Sequence, residues 1–303
     1  MGKIAFIYPG QGAQKCMMGK DFYDTFEESR KVYDTAEELL DISVKNICFT
    51  ENEEINNTAY TQPALVTTCL AITKKLNALG IYPDVTAGLS LGEYAAIAAA
   101  GGMSYEDAIR VVRARGIYME EAVPGGIGAM SAILGMTAED IEKIVNDIED
   151  VSIANYNCPG QIVITGKKEA VETANEKLKA AGAKRCLMLN VSGPFHSVFL
   201  ENAGEKLYDY MKDVEISELK IPYVTNVTAD YVEDSSNIKE LLKKQVSSSV
   251  RWQQSVEKMI ENGVDTFIEI GPGKTLAGFI KKINADVKVI NISTVDDIGE
   301  LQC

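Results

Sequence analysis

Apolar and polar positions alternate along the chain in blocks that predict strands and helices in turn. Lys3 to Tyr8 is an apolar run stopped by Pro9-Gly10, the pattern of a buried strand. Asp21 to Leu40 sets Phe22, Phe26, Tyr33 and Leu40 at helical spacing. Gln62-Pro63 predicts the opening of another helix, since proline is tolerated in a first turn, and Gly80 its close. Asp84 to Ala87 then reads as a short buried strand, and Glu93 to Ala100 as an Ala-rich helix. Ser104 with Asp107 predicts a capped helix start reaching to about Val123. This order is that of an α/β domain with a mostly parallel sheet.

From Gly128 the pattern changes. Strands are predicted at Gly128 to Leu134, Val151 to Asn155, Gln161 to Thr165 and Arg185 to Leu189. Helices fall from Thr137 to about Ile148 and from Glu169 to Ala181. The order βαββαβ is that of a ferredoxin-like split unit. Residues 127–191 therefore read as a small domain inserted into a larger one made of 1–126 and 192–303. The α/β order then resumes with a strand at Ile221 to Val224, helices at Ile238 to Val246 and Trp252 to Asn262, and a strand at Thr266 to Ile270. Gly271-Pro272-Gly273-Lys274 lacks the spacing of a phosphate loop, and Pro272 removes a donor, so it reads as a tight βα turn.

Composition narrows the classes. A chain of 303 residues, 46% hydrophobic and 24% charged, is that of an ordinary globular protein, and no apolar run is long enough to span a bilayer. The N-terminus lacks a signal-peptide cleavage pattern, and a soluble, cytoplasmic protein is expected. The six cysteines form no CxxC pair, which predicts reduced, packed thiols, and a single histidine makes a zinc site improbable. A formal net charge of -14 argues against nucleic acid and anionic membranes as partners, and requires a local basic patch for docking any acidic one.

Three residues carry candidate chemistry. Gly88-Leu89-Ser90-Leu91-Gly92 has the form of a nucleophile elbow, a tight strand-to-helix turn that exposes a serine and needs small residues two positions to either side. The alternative is an idle serine in a Gly-rich turn. An imidazole to activate Ser90 could come only from His196, in a loop where the inserted unit returns to the main one, although a lone histidine is commonly a satisfied core or surface residue. On the helix after Ser104, a rotation of 100° per residue puts Arg115 on one stripe with Val111, Val112 and Met119, leaving Arg110 and Arg113 on the far side. A buried guanidinium must be paired, either with an internal carboxylate or with that of a substrate.

These motifs occur together and in a fixed order. Pro9-Gly10-Gln11-Gly12, Gly88 to Glu93, Arg115-Gly116, Asn155 to Gln161, Pro194-Phe195-His196-Ser197, Asn226-Val227-Thr228-Ala229 and Gly271 to Lys274 resemble those of the malonyl-CoA:acyl-carrier-protein transacylases across nearly the whole chain. The resemblance implies a large α/β-hydrolase-like domain with a ferredoxin-like insertion. It implies ping-pong transfer of malonyl from malonyl-CoA, through an ester at Ser90, to the phosphopantetheine thiol of acyl carrier protein in fatty-acid biosynthesis. No metal or resident cofactor is implied, the CoA thioester being a substrate. His196 becomes the acid and base, the N–H groups of Gln11 and Leu91 the oxyanion hole, and Arg115 the partner of the malonyl carboxylate. The main-chain carbonyl of Gln245 orients the histidine, while Phe195 and Asn155 line the substrate pocket. The residue before the serine, commonly histidine in this family, is Leu89 here. A free-standing transacylase of a polyketide synthase and a serine thioester hydrolase are the alternatives. For carrier-protein docking, Lys184, Arg185, Lys274, Lys281 and Lys282 are the candidate basic patch.

Overall fold

The structure, a computed structural model, describes residues 2–123, 126–191 and 193–302. Among the described residues the strands are β1 Lys3–Tyr8, β2 Val85–Gly88, β3 Gly128–Leu134, β4 Val151–Cys158, β5 Gln161–Lys167, β6 Arg185–Met188, β7 Tyr223–Val224, β8 Tyr231–Val232, β9 Val264–Ile270 and β10 Lys288–Ile292. They form two sheets. The larger has the order β10-β9-β1-β2-β7-β8, with every pairing parallel except β7 with β8. Its central strands β1 and β2 are mostly apolar and buried, because helices cover both faces, as a parallel sheet requires.

The second sheet is antiparallel with the order β4-β5-β3-β6, the ferredoxin-like arrangement expected from the βαββαβ pattern. Its helices, Ala138–Val145 and Lys168–Ala180, bury Ile141, Val145, Val171, Ala174 and Leu178 in a core of their own. The outer strand β4 is tied to the larger part of the molecule by main-chain bonds from Tyr156 N to Val250 O (2.9 Å) and from Val250 N to Ala154 O (2.8 Å).

Several predicted elements take a different form. The helix expected over Asp21 to Leu40 is two, Lys20–Thr25 and Glu27–Leu39, because Phe26 is extended. Its ring lies 5.8 Å from Phe22 and under the ammonium of Lys75 at 4.2 Å. The helix expected to open at Gln62-Pro63 begins earlier and spans Thr58–Ala78, with Pro63 inside it. Proline there leaves the carbonyl of Ala59 without its helical donor. Arg113 supplies one, from Nη1 at 2.8 Å, while its Nε and Nη2 grip Asp41 at 2.9 Å each. Arg113, placed on the far side of its helix by the rotation argument, is thus a largely covered residue with a structural task. The helix Val44–Phe49 and strands β8 and β10 are additions to the elements expected from the sequence. Of the cysteines, Cys48, Cys69 and Cys158 are buried and free, Cys16 and Cys186 are free and partly covered, and Cys303 lies outside the described residues, as does Ser192.

Candidate active site

The site forms where the larger sheet ends. Strand β2 stops at Gly88, Ser90 turns the chain with a φ of 52°, and the helix Gly92–Ala99 follows. A Cβ on Gly88 would run into the backbone of Gly92, and one on Gly92 into the carbonyl of Tyr8, so the approach of helix to sheet needs both glycines. The left-handed serine costs about 1–3 kcal/mol and persists because its neighbours fix it. Asn226, fully buried, accepts from Ser90 N (2.6 Å) and donates to Gly88 O (2.6 Å), bracing the turn on both sides.

His196 meets the serine from across the cleft, also with a left-handed φ (59°). Its Nε2 lies 2.7 Å from Ser90 Oγ, and its Nδ1 lies 2.9 Å from Gln245 O and 3.1 Å from Ser248 O. Carbonyl oxygens only accept, so Nδ1 carries the proton and Nε2 presents a lone pair to the serine hydroxyl. Burial, with the nearby charge of Arg115, pushes the imidazole pKa down to about 4, against the pull of the two carbonyls. The ring is therefore neutral at pH 7 and able to take a proton from Ser90.

Arg115 comes from the helix Tyr105–Glu121, capped by Ser104 as expected, and is 1% exposed. Its Nη2 donates to Ser90 Oγ (3.2 Å) and to Gln245 Oε1 (3.1 Å), and the ring of Tyr94 lies 5.3 Å from its guanidinium carbon. Among the described residues no carboxylate lies within ion-pairing distance of it, and its buried Nε has no acceptor. Of the two partners open to a buried guanidinium, an internal carboxylate in direct contact is absent from the described residues, the buried Glu93 acting on Arg115 only through space and through Gln245.

The expected donors are arranged more sparingly than the helix start suggests. The N–H groups of Gly92, Glu93 and Tyr94 bond back to the carbonyls of Leu89, Ser90 and Leu91, whereas those of Leu91 and Gln11 donate to no atom among the described residues. The Leu91 side chain is buried, and that of Gln11 is held by Thr58 Oγ1 at 3.1 Å. Gln11 lines a cavity of about 550 Å³ together with Ser90, Arg115, Asn155, Phe195 and His196, and Leu91 follows Ser90 just behind its wall. Leu89 lies on the same wall, in the position where the resemblance would put histidine.

Residues missed in the sequence complete the site. Asn226 and Glu93 stand in the sequence only as members of motifs, with no role of their own, and the carbonyl of Ser248 and the side-chain role of Gln245 carry no sequence signal. Gly271 to Lys274 is the βα turn expected. The N–H groups of Leu276 and Ala277 in the helix after it are taken by the buried carboxylate of Glu269 at 3.1 and 2.8 Å. Among the described residues no group of His, Cys, Asp or Glu could hold a metal ion, and no helix is long and apolar enough to cross a membrane.

An elbow serine, a neutral histidine and a buried cation at the end of a mostly parallel sheet define an acyl-transfer site, and the chain belongs to the acyl transferase domain family, which matches residues 5–302. Within it, the chain is 46% identical over 303 residues to the malonyl CoA-acyl carrier protein transacylase of Bacillus subtilis, covering 98% of this chain and 96% of that protein. The malonyl CoA-acyl carrier protein transacylase of Clostridium perfringens superposes with a TM-score of 0.96 at 44% identity, over 99% of this chain and 96% of that one. A malonyl-transacylase solved in complex with a type II PKS acyl-carrier protein superposes with a TM-score of 0.95 at 36% identity, over 98% and 97% of the two chains.

Proposed function

We propose that this protein transfers malonyl from malonyl-CoA to the phosphopantetheine thiol of an acyl carrier protein, through an ester at Ser90. In the first half-reaction Ser90 Oγ attacks the thioester carbonyl as its proton passes to His196 Nε2. The tetrahedral oxyanion takes the free N–H groups of Gln11 and Leu91. Collapse breaks the C–S bond, and the imidazolium returns the proton to the departing CoA sulfur. In the second, the carrier thiol gives its proton to His196 and attacks the ester, and Ser90 recovers its own. The two carbonyls on Nδ1 hold the ring and stabilise its charged form, so no catalytic aspartate is needed.

The observation that carries this reading is Arg115, a buried cation beside the nucleophile with no carboxylate partner. An unpaired buried charge is costly, and a malonyl carboxylate supplies what it lacks, which acetyl would not. The reaction calls for no resident cofactor, and the free thiols fit a cytoplasmic enzyme.

Incubation with malonyl-CoA, with and without carrier protein, tests the reading. Malonyl should pass to the carrier, with only slow malonate release in its absence. Rapid malonate release indifferent to carrier protein would show a hydrolase instead. The similarity to the PKS-associated transacylase favours a polyketide carrier as a second acceptor, and the rates on the two kinds of carrier distinguish the pathways.

A further inference from the structure

Directly behind the elbow lies a buried carboxylate that takes no part in the proton transfers. Glu93, the second residue of the helix Gly92–Ala99, is fully buried. Its Oε2 accepts from Gln245 Nε2 (2.8 Å) and from the main-chain N–H of Asn226 (3.2 Å). The same Gln245 nitrogen also donates to Ser90 O at 2.8 Å. Both amide hydrogens are thus committed to acceptors, and the amide is held in one sense, with Oε1 toward Arg115 Nη2. Reversed, the amide would set its NH2 group against the guanidinium, donor facing donor. The main chain of Gln245 supplies one of the carbonyls that receive His196 Nδ1–H, and Asn226 braces Ser90. A single carboxylate is therefore bonded to two of the residues that hold Ser90, His196 and Arg115 in place.

We propose that Glu93 is a positioning residue for acyl transfer: as a hydrogen-bond acceptor it fixes the sense of the Gln245 amide, and through it the orientation of Arg115 toward the acyl carboxylate. This inference rests on the roles proposed for Ser90, His196 and Arg115. The task belongs to the acceptor oxygen rather than to the charge. Burial pushes the Glu93 carboxyl up to about 7, with the bond from Gln245 the first of several influences drawing it back, and a protonated carboxyl keeps a carbonyl oxygen to accept with.

The test compares the full-length protein with its Glu93→Gln and Glu93→Asp variants in malonyl and acetyl transfer, with the Ser90 ester mapped by mass spectrometry in each. Glu93→Gln keeps an acceptor at the same reach and should stay within about threefold of the parent in both kcat and KM. Glu93→Asp keeps the carboxyl group but withdraws it by one methylene. It should raise KM for malonyl-CoA about tenfold and erode the preference for malonyl over acetyl. An Asp variant as selective as the parent, or a Gln variant that falls as far as Asp, overturns the proposal. Should the Asp variant not fold, Gln245→Met cuts the same link from its other end while keeping the carbonyl. It should lose malonyl preference, and an unchanged preference overturns the proposal. No Ser90 ester on the parent protein would overturn the transferase reading and this inference with it, whereas an acylated parent with indifferent variants overturns this inference alone.

Discussion

The two walls of the cavity are built differently. On the wall at the end of the larger sheet, Ser90, His196 and Arg115 are cross-bonded through Gln245, and Asn226 braces the turn, with two residues held at positive φ. The wall from the antiparallel sheet offers side chains that fill space: Met130 on β3, Asn155 on β4 and Val163 on β5, with Leu189 to Val191 following β6. Reacting atoms must be held within a fraction of an ångström, so they stand where a parallel sheet and several hydrogen bonds over-determine the backbone. A surface that only bounds the acyl and pantetheine groups tolerates looser construction.

The contrast can be broken by substitution. Ser90→Ala should abolish ester formation and lower transfer by about 10⁴-fold or more, read as carrier acylation. His196→Ala should cost about 10²–10⁴-fold, as expected for loss of a general base. Because His196 is neutral until pH falls to about 4, transfer by the parent should persist through the ordinary histidine range near 6.5 and fall only as the imidazole gains a proton near 4. A pH–rate profile with its acidic limb at 6.5 would contradict that environment. Arg115→Ala should lose malonyl transfer by about 2 kcal/mol more than acetyl transfer, roughly thirtyfold. Equal losses on both substrates would remove its selectivity role.

On the other wall the effects should be smaller and of another kind. Val163→Ala should widen acyl tolerance and change KM by less than about tenfold, with Ser90 still acylated by malonyl-CoA; a loss as deep as that of His196→Ala would erase the distinction between the walls. Smallest of all, reversal of charge at the exposed Lys281 and Lys282 should raise KM for carrier protein by a few fold, on the order of 1 kcal/mol or less, and leave acylation by malonyl-CoA unchanged.

The same contrast explains what the sequence made legible. The elbow is local: five consecutive residues carry its steric requirement, so Gly88, Ser90 and Gly92 could be read directly. Arg115 was legible because a helix projects its residues at fixed angles, and the βαββαβ unit because its periodicity alternates cleanly. Asn226 and Glu93 were not, since their bonds to the site span 136 and 133 residues and leave no local pattern. Phe26 stands extended between two helices with Lys75 over its ring, and Pro63 is accommodated inside a helix where Arg113 reaches the carbonyl of Ala59 that it orphans. Each depends on a partner that only the folded chain brings near.

The central claim is that one serine hydroxyl carries the acyl group between two thiols. Brief exposure to malonyl-CoA, quenching and peptide mapping by mass spectrometry measure this most directly. The account predicts malonyl on Ser90 and its disappearance when carrier protein is added. Malonyl on another residue, or on none while transfer proceeds, would contradict it.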